Sequence, residues 1–416
     1  MNRRKFLLDQ GKILLLISTS GSTRGSADVI PPGASDLITL FLSGDVMTGR
    51  GIDQVLPRPS DPRLYETYAT SATRYVEIAQ AANGPFPERV GFSYPWGDAL
   101  AALENAMPDV RIINLETAVT VSNDYWKGKG INYRMHPENA LCLKAAKIDC
   151  CVIANNHVLD WGYAGLDETL STLSQVSINC AGAGRNLLEA QAPAVIDVSD
   201  KGRVLVFAYA SPTSGVPRDW AATTSRAGVS FLPDLSQDTV RRLAARIRRA
   251  RGERDIVVAS IHWGGNWGYE VPQRQKDFAH QLIDQAGVDV IHGHSSHHPK
   301  GIEIYNDRPV LYGCGDFLND YEGISGYEAY RDDLVLMYLV TIHSGSGRLV
   351  RLEMLPFQIR RFRLNRPSSE DAQWLRATMD RECARFGGHV EMSKTDRWTL
   401  EKVDTGVIEV QRSQGA

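Results

Sequence analysis

From residue 36 onward, short apolar runs alternate with stretches of helical period. Runs at 37–42, 110–113, 150–154, 204–209, 256–261, 288–292, 309–312 and 334–342 predict strands. Between them, apolar positions recurring every three or four residues predict helices at 97–106, 137–146, 164–175, 237–250 and 273–285. Alternation on this scale predicts a layered α/β protein. The later strands have less helix between them, so part of the sheet is expected to be antiparallel.

Polar residues of one chemical kind stand just past these runs. The first run is followed by Ser43-Gly44-Asp45, the second by Asn114-Leu115-Glu116, and the third by Asn155, Asn156 and His157. His262-Trp263-Gly264 follows the fifth, and the sixth leads into Gly293-His294-Ser295-Ser296-His297-His298. Ligands of open α/β sheets bind outside the carboxyl ends of the strands, so five strand ends could aim oxygen and nitrogen donors at one place. Mixed Asp, Glu, Asn and His donors suit zinc, manganese or iron better than calcium or a metal that prefers thiolates. A lone Gly-Asp is ordinarily a turn and a lone His ordinarily a satisfied polar residue. Four of the ten histidines fall within residues 292–298, and that density favours a metal site.

Composition narrows this only a little. A chain of 416 residues with 43% hydrophobic and 23% charged residues is of globular type, and a net charge of −3 gives no reason to expect nucleic acid as a partner. No apolar run reaches the roughly 18 residues of a membrane-spanning helix. The six cysteines form no C-x-x-C pair and mostly sit in apolar runs, as buried thiols do. At the N-terminus, Arg3-Arg4-Lys5-Phe6-Leu7 followed by the apolar residues 13–17 resembles a twin-arginine export signal. Residues 1–30 are therefore expected to be an export segment, 31–33 a linker, and the mature protein periplasmic or at the cell surface.

Gly-Asp-Val-Met-Thr-Gly-Arg (44–50), Asn-Leu-Glu-Thr (114–117) and Ala-Asn-Asn-His-Val-Leu-Asp-Trp-Gly (154–162) are followed by Gly182-Ala183-Gly184, His262-Trp263-Gly264, the run 293–297 and Tyr312-Gly313-Cys314-Gly315-Asp316-Phe317. In order and spacing these segments resemble the CapA family of poly-γ-glutamate capsule synthesis proteins, which have a metallophosphatase-like fold. The resemblance implies a four-layer α-β-β-α sandwich over residues 36–360, with 361–416 as a C-terminal extension. By analogy it implies one or two divalent metal ions. Asp45 would bind the first, Glu116 would bridge, Asn156, His262 and His294 would hold the second, and His297 would return to the first. His157 would be the general acid and Arg50 would meet an anionic substrate. The chain departs from the metallophosphatase pattern at Met47, where a histidine is usual, and in the spacing His294-x-x-His297. It departs from the CapA pattern at Asp316, where asparagine is usual. These departures predict one tight metal and a second that is weak or absent.

Two classes of function follow from the resemblance. One is a metal-dependent hydrolase or transferase acting on a phosphoester or a γ-glutamyl amide. The other is a non-catalytic factor for capsule polymer transport or surface retention, working with capsule machinery at the membrane. No nucleophile elbow, P-loop or dinucleotide fingerprint competes with them, and Gly182-Ala183-Gly184 reads as a tight loop. Trp96, Trp263, Trp267 and Tyr269 could wall a cleft or simply pack. His136, His280, His343 and His389 read as structural, and Arg360 to Arg363 as a solvated face.

Overall fold

Leu37–Val46 is buried from residue 40 onward because it lies inside the larger of two β-sheets. The computed structural model describes residues 36–393 and 397–402. Edge to edge, the larger sheet runs Gly388–Met392, Trp398–Lys402, Leu349–Ile359, Leu334–His343, Leu37–Val46, Val110–Leu115, Cys150–Val152 and Asn179–Ala181. The half that starts at Leu37–Val46 is parallel. The half leading to Gly388–Met392 is antiparallel, as the shortened connections predict. Asp316–Leu318 lies parallel to the end of Leu37–Val46 and pairs Asp45 with Asp316.

The smaller sheet runs Ile302–Tyr305, Arg308–Leu311, Val290–His294, Ile256–His262, Gly202–Ala210 and Ala194–Val198. Its inner strands are parallel and each edge is closed by a hairpin. Side-chain alternation divides its faces. Val204, Val206, Ala208 and Ala210 share a core with the larger sheet. Leu205, Phe207 and Tyr209 belong to a second core under the helices Gln237–Ala250 and Gln273–Ala286. Helix Gln237–Ala250 forms where Ser236 caps its N-terminus and its last turn carries Arg248 and Arg249; Val240, Leu243, Ala244 and Ile247 make its buried stripe. Leu103 of Ala99–Ala106 and Leu166, Leu170 and Leu173 of Gly162–Gln175 join the first core. The result is the four-layer α-β-β-α sandwich expected for the chain.

The predicted helix at 137–146 divides into a 3₁₀ turn at Pro137–Ala140 and a short α-helix at Leu141–Ala145. The described residues beyond 360 stay attached to the sandwich: helix Ser369–Ala384 packs beside Leu349–Ile359, and Gly388–Met392 with Trp398–Lys402 extends the sheet. All six cysteines are free thiols, five of them buried. No helix among the described residues is long and apolar enough to cross a membrane. The expected export segment lies outside the described residues.

Candidate metal centre

The carboxyl ends of parallel strands from both sheets meet at one point. Asp45 closes Leu37–Val46, Glu116 follows Val110–Leu115, and Asn156 and His157 stand on the turn after Cys150–Val152. From the smaller sheet, His262 ends Ile256–His262 and His294 ends Val290–His294 in direct register with it. Their backbones approach closely through glycine. A Cβ on Gly44 would stand 1.7 Å from the Gly315 carbonyl oxygen, so only glycine fits there.

Two sets of ligand atoms converge, Asp45 with His262 and His294, and Asp45 with His297 and Asp316; within each set the atoms lie within 4.8 Å of one another. His262 Nδ1 is 2.8 Å from His294 Nδ1, and His262 Nε2 is 3.0 Å from Asn156 Oδ1. His294 Nε2 meets Ser260 Oγ at 2.8 Å. Asp45 accepts from Asn114 Nδ2 at 2.7 Å and from the Ser295 backbone N–H at 3.2 Å. Asn155 carries the frame onward by donating to Asn114 Oδ1 at 3.1 Å.

Electrostatics in this pocket favour a cation. Burial, then the neighbouring Asp316 carboxylate, push Asp45 up to about 7. Burial and the charge of Asp45 push Glu116 well above the usual carboxylate range. Buried carboxylates this close resist ionising together unless a positive charge joins them. Glu116 Oε2 is buried without a hydrogen-bond partner. Burial pushes His262 and His294 well below the ordinary histidine value, so both are neutral and keep lone pairs for a ligand bond. The donors present therefore fit a divalent metal ion.

His157 is placed differently from these donors. Its Nδ1 lies 2.7 Å from Asp160 Oδ2, which accepts, and 2.9 Å from the Lys129 ammonium, which donates, so either tautomer finds a partner there. Nε2 then faces Glu116 Oε1 at 3.7 Å. Lys129, which the sequence did not single out, packs behind this pair and donates to Asp160 Oδ1 and the Asn156 carbonyl. Burial pushes His157 down to about 4, against the pull of Asp160.

Arg50 requires a correction. Its guanidinium is buried and committed to the protein: Nε donates to Asp320 Oδ2 at 3.0 Å, Nη2 to Asp320 Oδ1 at 2.5 Å, and Nη1 to Glu66 Oε1 at 3.1 Å. It lies between the rings of Tyr75 and Tyr133, so none of it is presented to an incoming anion. A buried cation demands such partners, and a Gly-Arg pair in a sequence cannot say whether they exist.

Asp316 turned out more important than its place in the motif implied. Its Oδ1 is 2.9 Å from His297 Nδ1, and its Oδ2 accepts from Asn319 at 2.8 Å. The signal was available as an aspartate where asparagine is usual. Met47, the missing imidazole, is fully buried with Sδ 3.5 Å from Tyr321 Oη. Of the aromatic residues, Trp96 and Trp263 are core, donating to the Cys142 and Tyr312 carbonyls. Trp267 stacks on Tyr327 with centroids 4.0 Å apart and lies 5.4 Å from the His297 ring.

Similarity to known proteins runs along the same segments. A probable polyglutamine synthesis accessory protein of Mycobacterium tuberculosis (strain ATCC 25618 / H37Rv) is 47% identical over 356 residues, 85% of this chain and 93% of that one. The PGA biosynthesis protein CapA of Bacillus subtilis (strain 168) is 25% identical over 374 residues, 86% of this chain and 81% of that one. A crystal structure of a novel phosphatase from Mycoplasma pneumoniae aligns over 80% of this chain and 95% of that one, with 13% identity and a TM-score of 0.43. The model of the bacterial capsule synthesis protein family PGA_cap matches residues 39–321. The chain belongs to that bacterial capsule synthesis family.

Proposed function

We propose that this capsule-family protein is a metal-dependent hydrolase acting on an anionic capsule polymer or its precursor, at a phosphoester or a γ-glutamyl amide. Asn156, His262, His294 and Glu116 would hold one divalent ion, His297 and Asp316 a second, with Asp45 between them. A bound cation there acts as a Lewis acid on a substrate oxygen and acidifies water. The single observation that carries the reading is His157: an imidazole held by Asp160 through Nδ1, with Nε2 turned to the carboxylate Glu116.

In this reading the protein's own groups do three jobs. Asp160 fixes the His157 ring, and Lys129 fixes Asp160 and the Asn156 carbonyl. His157 Nε2 would donate to the leaving oxygen or nitrogen in the tautomer that carries its hydrogen, with Nδ1 accepting from Lys129 at 2.9 Å. The surrounding side chains exclude bulk water, since His157 and His297 are 7% and 8% exposed and Asp45 is fully buried. The twin-arginine segment supports export of the folded, loaded protein.

The test is His157→Ala in metal-loaded protein, assayed on chromogenic phosphodiesters and γ-glutamyl amides. Turnover should fall by about 10²–10⁴-fold, the usual worth of a general acid, with metal content unchanged. Metal-loaded wild-type protein that turns over neither substrate class would sink the enzymatic reading.

A further inference from the structure

The last part of the chain builds a second site, remote in sequence from the metal centre. Between helix Ser369–Ala384, strand Leu349–Ile359 and the final hairpin lies a cavity of about 620 Å³. Pro356 and Trp398 are among its buried apolar lining, and Pro367 and Met392 line it further out. Met392 is 66% exposed and stands at the outer rim. Among the described residues lining the cavity, two are cationic, Arg366 and Arg376, and none is anionic. That is a local reversal in a chain of net charge −3.

Both arginines are held in place without being neutralised. The Arg376 guanidinium donates to the Val390 carbonyl oxygen at 3.3 Å, and the Arg366 guanidinium sits 5.2 Å from the centre of the Phe357 ring. Neither makes an ion pair with a carboxylate among the described residues, where about half of the arginines do. A fixed, unpaired guanidinium beside an apolar floor fits a ligand that carries carboxylates on an aliphatic backbone.

We infer that this groove docks a segment of an acidic polyamide chain, whose carboxylates meet Arg366 and Arg376 while its methylene groups lie on Pro356, Trp398 and Met392. The inference rests on the capsule-polymer reading for the identity of the polymer, but uses none of the metal centre. Hydrogen bonds run from the groove's helix toward that centre. Arg331 holds Asp371 on the groove's helix at 2.8 Å and Asp333 at 2.8 Å. The neighbouring Asp332 carbonyl accepts from Asn319, the residue that holds Asp316. A chain seated in the groove would be held close to the segment that completes the centre.

The probe is a fluorescently labelled γ-linked glutamate oligomer, titrated into the full chain with and without chelator, with a neutral glutamine oligomer and dextran sulfate as controls. Saturable binding of the glutamate oligomer is expected, at least about tenfold weaker in Arg366→Glu/Arg376→Glu, as loss of charge-assisted contacts requires. Arg366→Lys/Arg376→Lys should recover part of the loss, which shows that charge and not folding was removed. Binding that survives the charge reversal overturns the inference, as does equal binding of dextran sulfate. Binding abolished by chelator and untouched by the reversal also overturns it, by locating the polymer at the metal centre and leaving the proposed hydrolase intact. Persistent groove binding in a protein without turnover has the opposite meaning: the groove stands and the hydrolase falls.

Discussion

His262 Nδ1 and His294 Nδ1 face one another at 2.8 Å, across paired positions of adjacent parallel strands. Two neutral imidazoles can meet this way only if one Nδ1 carries a hydrogen, and a cation bound there would shift that hydrogen to Nε2 of the same ring. Metal uptake should release protons into a weakly buffered solution from Asp45 and Glu116, which burial holds toward the protonated form. His294→Ala should lose at least one bound ion per chain or weaken it by at least about tenfold, since a direct ligand is worth no less than its outer partners. Metal analysis after dialysis checks both statements. Unchanged stoichiometry in the variant would remove His294 from the ligand set.

Asp316 and Met47 make a matched pair for the second ion. In the proposed centre a carboxylate at Asp316, which converges with Asp45 and His297, would offset the imidazole absent at Met47. Asp316→Asn should weaken the second ion by about 10–100-fold. Adding Met47→His to that variant should restore much of it. Isothermal titration with Mn²⁺ separates the two steps, and an Asp316→Asn protein that still binds two ions tightly would refute the compensation.

Arg50 predicts a loss of stability. With the side chains of Arg50, Glu66 and Asp320 almost wholly buried, Arg50→Ala leaves two carboxylates without their cation. The cost should be about 3–5 kcal/mol, read as a lower midpoint in urea denaturation. The wild-type midpoint in Arg50→Ala would mean that the network is not the buried ion pair described above.

Asp332 supplies a pH dependence. Burial first, then the charges of Asp316 and Asp333, push its folded pKa up to about 7 from 3.8. The folded state thus holds a proton that the unfolded state releases, and stability falls as pH rises from about 4 to about 7. In chelator, Asp332→Asn should match the wild type at the acid end of that window and exceed it in Tm at pH 8. Equal melting temperatures at both ends would show that Asp332 is not held protonated by the fold.

Much of this could be read from sequence because the centre is built at strand ends, and strand ends are marked where apolar runs stop. Asp45, Glu116, Asn156, His262 and His294 were visible for that reason. The strands themselves were harder wherever their burial was uneven. Leu349–Ile359 carries Arg351 and Glu353 and contains Pro356, which breaks both the alternation and the usual rule against proline in sheets. It survives as a strand because its far neighbour, Trp398–Lys402, pairs with it only at Glu353 and Met354. Helix Thr73–Asn83 has only Tyr75 and Ala79 buried, too narrow a stripe to stand out. The fate of Arg50 was invisible for another reason. Asp320 is 270 positions away, and nothing local announces a partner at that distance.

The contact of Gly44 with Gly315 has a consequence for how such a centre can change. Where main chains touch, the spacing between Leu37–Val46 and the segment entering Asp316–Leu318 is fixed by the backbone alone, and the side chains of Asp45 and Asp316 hang from a frame they did not build. Substituting a donor alters what the centre holds while its dimensions stay the same. Substituting Gly44 would force those two segments apart and move Asp45 and Asp316 together. The centre's chemistry can drift one residue at a time; its scale cannot.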